Sequence, residues 1–392
     1  MQGIRDRVAI VGMGCTQFGE HWDKSANDLM VDAVYEAVED AGISPSDIQA
    51  AWLGTSSSGR RGSMLAYPLK LDYIPVTRVE NACATGTDAM RNACYSVAAG
   101  IYDVVLVSGV EKLKDSGYSG LPLYPEVTTS QTDPPCPAPV QFALAATRYF
   151  HHYGLSFEEG KRILAQIAVK NHHNGTMSPK AHFHREITVE QALKAPMVAW
   201  PLGLFDCCGV SDGSAAAIIT RAELAPSFRK DYVLVKGLGV ACGAREAQTR
   251  NDYDFVHFEE NVRAAKTAYR EAGIEDPRKE ISVAEVHDCF TITELIIYED
   301  LGLSPRGGGP ADVEAGTFSL EGEVAVNSDG GLKCFGHPIG ASGIRMIYEV
   351  YKQLQGKADK RQRQDPRIGI THNLGGAPGW FTSAVAVFSR PD

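Results

Sequence analysis

No apolar run in this 392-residue chain approaches the ~18 residues that a membrane-spanning helix needs, so a membrane partner is not expected. The N-terminus lacks the basic-then-apolar pattern of a signal peptide. The C-terminal Ser389-Arg390-Pro391-Asp392 matches no common targeting address, and a cytoplasmic location is expected. A basic surplus is missing too: 38 Lys and Arg against 48 Asp and Glu leave a net charge of −10. That balance excludes a general nucleic-acid or anionic-membrane surface, though a local basic patch for a phosphorylated ligand is compatible with it. The nine cysteines, at 15, 83, 94, 136, 207, 208, 242, 289 and 334, contain no CxxC pair. Neither a zinc ribbon nor a dithiol redox motif is indicated, and no metal is expected in this chain. An odd, scattered set of thiols fits a reducing compartment. Gly12-Met13-Gly14 opens like a dinucleotide fingerprint, but Gln17 stands where the third glycine would be, so nicotinamide binding is not expected.

What is present is a regular alternation of strands and helices. Val8–Val11, Ala51–Gly54, Arg78–Asn81 and Asp103–Gly109 read as strands. A helix over about 27–41, with Gly42 as its stop, lies between the first two. The fully apolar run at 103–109 fits a central strand. From about 114 to 205 the pattern breaks into Pro-, Gly- and Ser-rich sequence with helices near 140–153 and 157–173, an inserted loop domain. The sheet resumes at 215–220. The second half then repeats the first: Val31–Ile43 aligns without gaps with Val262–Ile274, matching at 6 of 13 positions, and each segment follows a strand with paired glycines. Order and spacing together indicate an internal duplication. The expected fold is α/β, with two similar five-stranded mixed or parallel sheets and helices. The expected division is 1–113 and 206–225 for the first half, 114–205 for the insertion and 226–392 for the second half.

In parallel sheets, ligands collect beyond the carboxyl ends of strands. Four reactive stretches fall at such ends. Cys83 lies where a strand meets a helix N-terminus, whose dipole favours thiolate; small neighbours Ala82, Ala84 and Gly86 leave room for a substrate. An isolated cysteine is more often a buried core residue; the company it keeps argues otherwise. His337, just before Pro338, is its counterpart in the second half, so a pseudo-two-fold axis would bring imidazole to thiol as its base. His287, Asp288 and Cys289 end another strand together, with an oxyanion donor and a second acid/base among them. Gly375 and Gly376 could bring backbone N–H groups against a substrate carbonyl oxygen. His151-His152 and His172-His173 read as solvated helix histidines. Cys207-Cys208 are adjacent, which suits neither of them to one shared metal.

These stretches resemble the thiolase family. Asn81-Ala82-Cys83-Ala84-Thr85-Gly86 is similar to its nucleophile motif, and Asn327–Lys333 leading to Gly336-His337-Pro338 to its Gly-His-Pro block. His287-Asp288-Cys289-Phe290 and His372-Asn373-Leu374-Gly375 resemble the sterol-carrier-protein type, which has His-Asp-Cys-Phe where other thiolases have Asn-Glu-Ala-Phe. The resemblance implies a thiolase-like, five-layered fold and Claisen chemistry on coenzyme A thioesters, with coenzyme A as substrate. It implies Cys83 as nucleophile, His337 as its base, Cys289 as the α-carbon acid/base, and Cys83, Gly375 and His287 as oxyanion donors. It also implies a homodimer core and, for the bacterial and archaeal subset, a small accessory subunit with an OB fold and a zinc ribbon. A thiolase-like acyltransferase or retro-aldolase, or a non-catalytic scaffold subunit, are the alternatives it leaves. Ser342 replaces the family's usual Thr, and the glycine pattern after His372 is shortened.

Overall fold

The computed structural model describes residues 3–116 and 137–391; positions 117–136 of the inserted loop domain expected over 114–205 lie outside them. Ten strands form one continuous sheet. The first five are β1 (Val8–Cys15), β2 (Ala50–Gly54), β3 (Val76–Val79), β4 (Val104–Glu111) and β5 (Gly213–Arg221). The second five are β6 (Val233–Cys242), β7 (Val283–Glu285), β8 (Ala325–Val326), β9 (Ile368–Ala377) and β10 (Trp380–Ser389). Their order across the sheet is β8-β7-β9-β10-β6-β1-β5-β4-β2-β3. Each half therefore has the same internal order, reflected about the seam where β1 and β6 pair antiparallel through Ala9–Leu234 and Ile10–Val233. The duplication expected from sequence is a property of the fold. The interior strand β4 pairs parallel with β2 but antiparallel with β5, as β9 does with β7 and β10. Both halves are mixed sheets, one of the two sheet types expected, and the apolar β4 is an interior strand with neighbours of both directions.

The helices that matter to the site are α1 (Ala26–Ala41), α2 (Thr85–Ala98), α3 (Ala138–His152), α4 (Phe157–Thr176), α5 (Glu259–Ala272), α6 (Thr291–Asp300) and α7 (Ile339–Leu354). A capping box between Ser25 and Asp28 starts α1, and Gly42 stops it at φ 68°. Its duplicate α5 stops at Gly273 with φ 78°. The glycine pairs lie inside their strands rather than at the ends. A Cβ on Gly12 would sit 2.3 Å from the Ala37 carbonyl, and one on Gly14 2.0 Å from that of Ala33. In the second half, a Cβ on Gly237 or Gly239 would stand 2.2 Å or 2.0 Å from the carbonyls of Ala268 and Ala264 respectively. Those glycines let a helix lie directly on the sheet, which accounts for the Gly12-Met13-Gly14 pattern without a nucleotide.

Two further helices, α2 and α7, are also duplicates, and they cross against each other at glycines. A Cβ on Gly86 would lie 2.9 Å from the Gly340 carbonyl and 3.0 Å from the Ile344 nitrogen; one on Gly343 would lie 2.5 Å from the Thr87 nitrogen. Larger residues here would force the helices apart, and with them everything carried on their N-terminal turns. Thr87 Oγ1 adds a 2.5 Å hydrogen bond to Asn373 Oδ1 on β9, tying α2 to the second half. The fully buried Arg345 of α7 donates to Asp329 at 2.6 Å and to Glu285 at 2.9 Å, fixing α7 to the segments that follow β8 and end β7.

Candidate active site

Cys83 does not begin a helix. The chain leaves β3, turns through Ala82 at φ 48° and enters α2 only at Thr85. Side chains hold this turn: Thr85 Oγ1 accepts from the Asn81 N–H at 2.8 Å and donates to the Ala82 carbonyl at 2.6 Å. Asn81 Nδ2 donates to Asp88 Oδ2 at 2.6 Å. His337 occupies the equivalent place, two residues before α7, with Pro338 as the residue preceding the helix rather than its first.

Across the α2/α7 crossing, Cys83 Sγ and His337 Nε2 stand 3.2 Å apart. The pseudo-two-fold pairing expected from sequence is thus present as geometry. His337 Nδ1 lies 2.8 Å from Ser342 Oγ, which donates its only proton to the Pro338 carbonyl at 3.0 Å. Ser342 must therefore accept from Nδ1–H, which leaves the Nε2 lone pair facing the thiol. In the sequence Ser342 stands out only as a mild replacement; its place five residues after His337, within the first turn of the helix, is the one signal of the partnership.

His287 is buried beside this pair, its ring 5.3 Å from that of His337 at 83°. One ring nitrogen of each histidine and the Cys83 sulfur all lie within 4.8 Å of one another. Cys289 is buried two residues on, 3.7 Å from Thr293 Oγ1. Asp288 points the other way and serves the fold: it accepts from the Leu332 N–H at 2.6 Å and from Asn171 Nδ2 at 2.9 Å. Gly375, on β9, reaches the turn: a Cβ there would lie 2.7 Å from both the Cys83 nitrogen and the Asn81 carbonyl. Gly376 is one residue farther along, at φ 111°. His372 is tied to Asn261 Oδ1 at 2.9 Å and Ser383 Oγ at 3.2 Å.

The electrostatics differ from the sequence expectation. Burial pushes the Cys83 thiol up to about 12, with Glu111 and Glu80 adding to the rise. Burial likewise pulls the His337 imidazole down to about 3, helped by Arg345. The helix terminus does not win because the sulfur loses its hydration and faces a carboxylate. At rest the pair is a thiol and a neutral imidazole. Burial also lowers His287 well below the usual histidine range and raises the Cys289 thiol well above the usual one.

Glu111 carries no signal in the sequence. This buried carboxylate at the end of β4 accepts from the backbone N–H groups of Ser56, Ser57 and Ser58 at 3.0, 2.9 and 2.8 Å and from Gly340 N–H at 3.1 Å. It joins the loop after β2 to the first turn of α7, beside His337. Cys208, unsuited to a shared metal with its neighbour, meets the site in another way. Its N–H donates to the Cys289 carbonyl at 2.9 Å, next to a short antiparallel bridge between Cys207 and Phe290. His151 and His152 lie exposed at the C-terminal end of α3, away from these groups. His172 is buried and bonded at 2.8 Å to the Arg185 carbonyl, a structural residue rather than a solvated one, whereas His173 is exposed as expected.

A mirrored pair of five-stranded halves meeting at a buried thiol and imidazole defines a thiolase-type fold, and the similarities to known proteins agree. The N-terminal thiolase domain matches residues 8–223 and the C-terminal thiolase-like domain residues 241–390, so the chain belongs to the thiolase family. An acetyl-CoA acetyltransferase of Methanothermobacter thermautotrophicus is 38% identical over 398 residues, covering 99% of this chain and 100% of that one. A benzoylsuccinyl-CoA thiolase subunit of Thauera aromatica is 32% identical over 378 residues, 95% and 96% of the two chains. Among solved structures, an Ltp2-ChsH2(DUF35) aldolase superposes with a TM-score of 0.84 at 23% identity over 99% and 98% of the chains, a likeness of fold.

Proposed function

We propose that this protein is a thiolase that cleaves or forms a 3-oxoacyl-CoA through an acyl-Cys83 intermediate. The 3.2 Å contact between Cys83 Sγ and the His337 Nε2 lone pair is the observation that carries this reading. The identity to acetyl-CoA acetyltransferases supports acyl transfer from coenzyme A thioesters. In the cleavage direction, Cys83 transfers its proton to His337 as sulfur bonds to the 3-oxo carbon. The C2–C3 bond then breaks, and its electron pair becomes the enolate of the departing acyl-CoA. Cys289, a thiol held in protonated form, delivers a proton to that carbon. The coenzyme A thiol attacks the acyl carbon and breaks its bond to the Cys83 sulfur, releasing the shortened acyl-CoA; its proton and the one held on His337 restore the Cys83 and Cys289 thiols. The Cys83 and Gly375 N–H groups are assigned to the tetrahedral oxyanion, and His287 to the enolate oxygen.

Two assembly features belong to the same reading. The strand β3 ends the sheet, with exposed Tyr67 and Tyr73 in the segment leading to it, which suits pairing with a second copy in a homodimer core. The aldolase of similar fold joins Ltp2 to ChsH2(DUF35), which supports a small accessory subunit here, of the OB-fold and zinc-ribbon kind that the resemblance implies.

The test is acylation of the purified protein by radiolabelled acetyl-CoA, followed by thiolysis of linear, branched and aromatic 3-oxoacyl-CoA esters. Label on the Cys83 peptide and CoA-dependent cleavage are expected. Cleavage of a 3-hydroxyacyl-CoA without free CoA and without label would establish a retro-aldolase instead.

A further inference from the structure

We infer that Cys83, His287 and His337 also form a binding site for a thiophilic divalent cation of the zinc class, whose occupation excludes the acyl group. One thiol and two imidazoles are the donor set that suits zinc, whereas magnesium and calcium require oxygen. The three donor atoms lie within 4.8 Å of one another, and the sulfur and the His337 nitrogen are 3.2 Å apart. Metal–sulfur and metal–nitrogen bonds of ~2.3 and ~2.0 Å in a tetrahedron separate their donors by roughly 3.3–3.5 Å. No donor pair is more than about 1.5 Å from that span, so side-chain shifts on the order of 1 Å would close the site.

Two observations beyond the cluster point to a ligand. The buried His287 Nδ1 has no hydrogen-bond partner among the described residues, so no protein group fixes the tautomer of that ring and either nitrogen can present its lone pair to an ion. His337 is already oriented as metal-bound histidines are, with its far nitrogen donating to Ser342 and its near lone pair facing the Cys83 sulfur. Three protein ligands leave a fourth position for water or a ligand, the pattern of open zinc sites. Binding releases one proton, that of the Cys83 thiol, and both imidazoles enter through nitrogen lone pairs. Once Cys83 is acylated its sulfur is no longer a thiolate ligand, so the cation and the acyl group compete for one atom. His287 is decisive, because an asparagine at that position offers no comparable nitrogen donor.

The metal site is tested by titrating the full-length protein with cobalt(II), a coloured stand-in for zinc. One equivalent is expected to develop a thiolate-to-cobalt band in the near ultraviolet and the strong visible bands of a tetrahedral ion, both erased by zinc. Cys83→Ala should abolish the ultraviolet band, and His287→Asn should weaken affinity about tenfold or more. Cys242→Ser, which alters an exposed thiol elsewhere, should change nothing. On the unmodified protein, zinc should protect the Cys83 peptide from iodoacetamide while leaving Cys242 reactive. Absence of the bands in wild type, bands that persist in Cys83→Ala, or no protection of Cys83 would each overturn the inference. The exclusion of acyl groups rests on the thiolase reading and is tested separately: acetyl-CoA given first should suppress the cobalt bands. Cobalt binding without any acylation would uphold the metal site and refute the thiolase reading; acylation without cobalt binding would do the reverse.

Discussion

Ser342 Oγ lies 2.8 Å from His337 Nδ1 and donates its own proton to the Pro338 carbonyl. The hydroxyl fixes the imidazole tautomer and leaves Nε2 as the acceptor facing Cys83. Ser342→Ala strands a buried N–H, a penalty of about 1–3 kcal/mol, and should slow Cys83 acylation by roughly tenfold to a hundredfold. Ser342→Thr should restore it, because only the hydroxyl is required. Stopped-flow acylation with acetyl-CoA distinguishes the two; equal rates in Ala and Thr variants would dismiss the role.

The pH profile follows from a thiol raised to about 12 and an imidazole lowered to about 3. Neither group changes protonation near neutrality, so acylation should be flat from roughly pH 5 to 9 apart from other groups. For stability, His337 lies below its unfolded value of ~6.5. Its contribution is complete above that pH and is lost as pH falls toward 3. Cys83 lies above its unfolded value of ~8.5, so its contribution is complete below that pH and is lost as pH rises toward 12. Peptide-resolved alkylation of Cys83 against pH is the check. An inflection between pH 6 and 8 would reveal a thiolate–imidazolium pair instead.

Gly375→Ala should cripple the site without unfolding the chain. Its Cβ would press 2.7 Å from the Cys83 nitrogen and the Asn81 carbonyl, both backbone atoms that cannot swing away. The Asn81–Cys83 turn must shift, and a displacement on the order of 1 Å can cost 10²-fold. Acylation rate and melting temperature, measured together, separate this from general destabilisation.

Cys289 and Cys83 should fail differently. Cys83→Ala is expected to abolish acyl-enzyme formation. Cys289→Ala should still be acylated by acetyl-CoA yet lose condensation and the exchange of α-carbon protons into deuterated water by about 10²-fold or more. Unchanged exchange in Cys289→Ala would remove it from the mechanism.

Arg345→Met should destabilise the fold by ~3–5 kcal/mol, because it leaves Glu285 and Asp329 buried without their shared cation. Burial and Asp329 already hold the Glu285 carboxyl well above the usual range. Urea denaturation measures the loss.

Much of this architecture is legible in the sequence because the chain states it twice: α1 and α5 share residues, and their glycine-bearing strands share helix contacts. Cys83, His287, Cys289 and His337 are legible as chemistry that falls at strand ends. Glu111 is not, since a single acidic residue ending an apolar strand looks like a boundary; only the folded loops show it collecting four backbone N–H groups. The resting charge of Cys83 escapes the sequence for a related reason. A helix terminus can be seen there, but the enclosure that outweighs it is built by Leu113, Val210 and Ile339 of α7, the last more than two hundred residues away.

The reflected order of the strands about the β1/β6 seam has a last consequence. Two identical chains related by a true two-fold axis carry the same residue at equivalent positions, so a pair made by the equivalent positions of Cys83 and His337 would be thiol with thiol or imidazole with imidazole. An unlike pair at equivalent positions needs two copies free to diverge, which a duplication within one polypeptide provides. Asymmetry at the centre is what tandem linkage makes available here, and the 3.2 Å contact between Cys83 and His337 is its product.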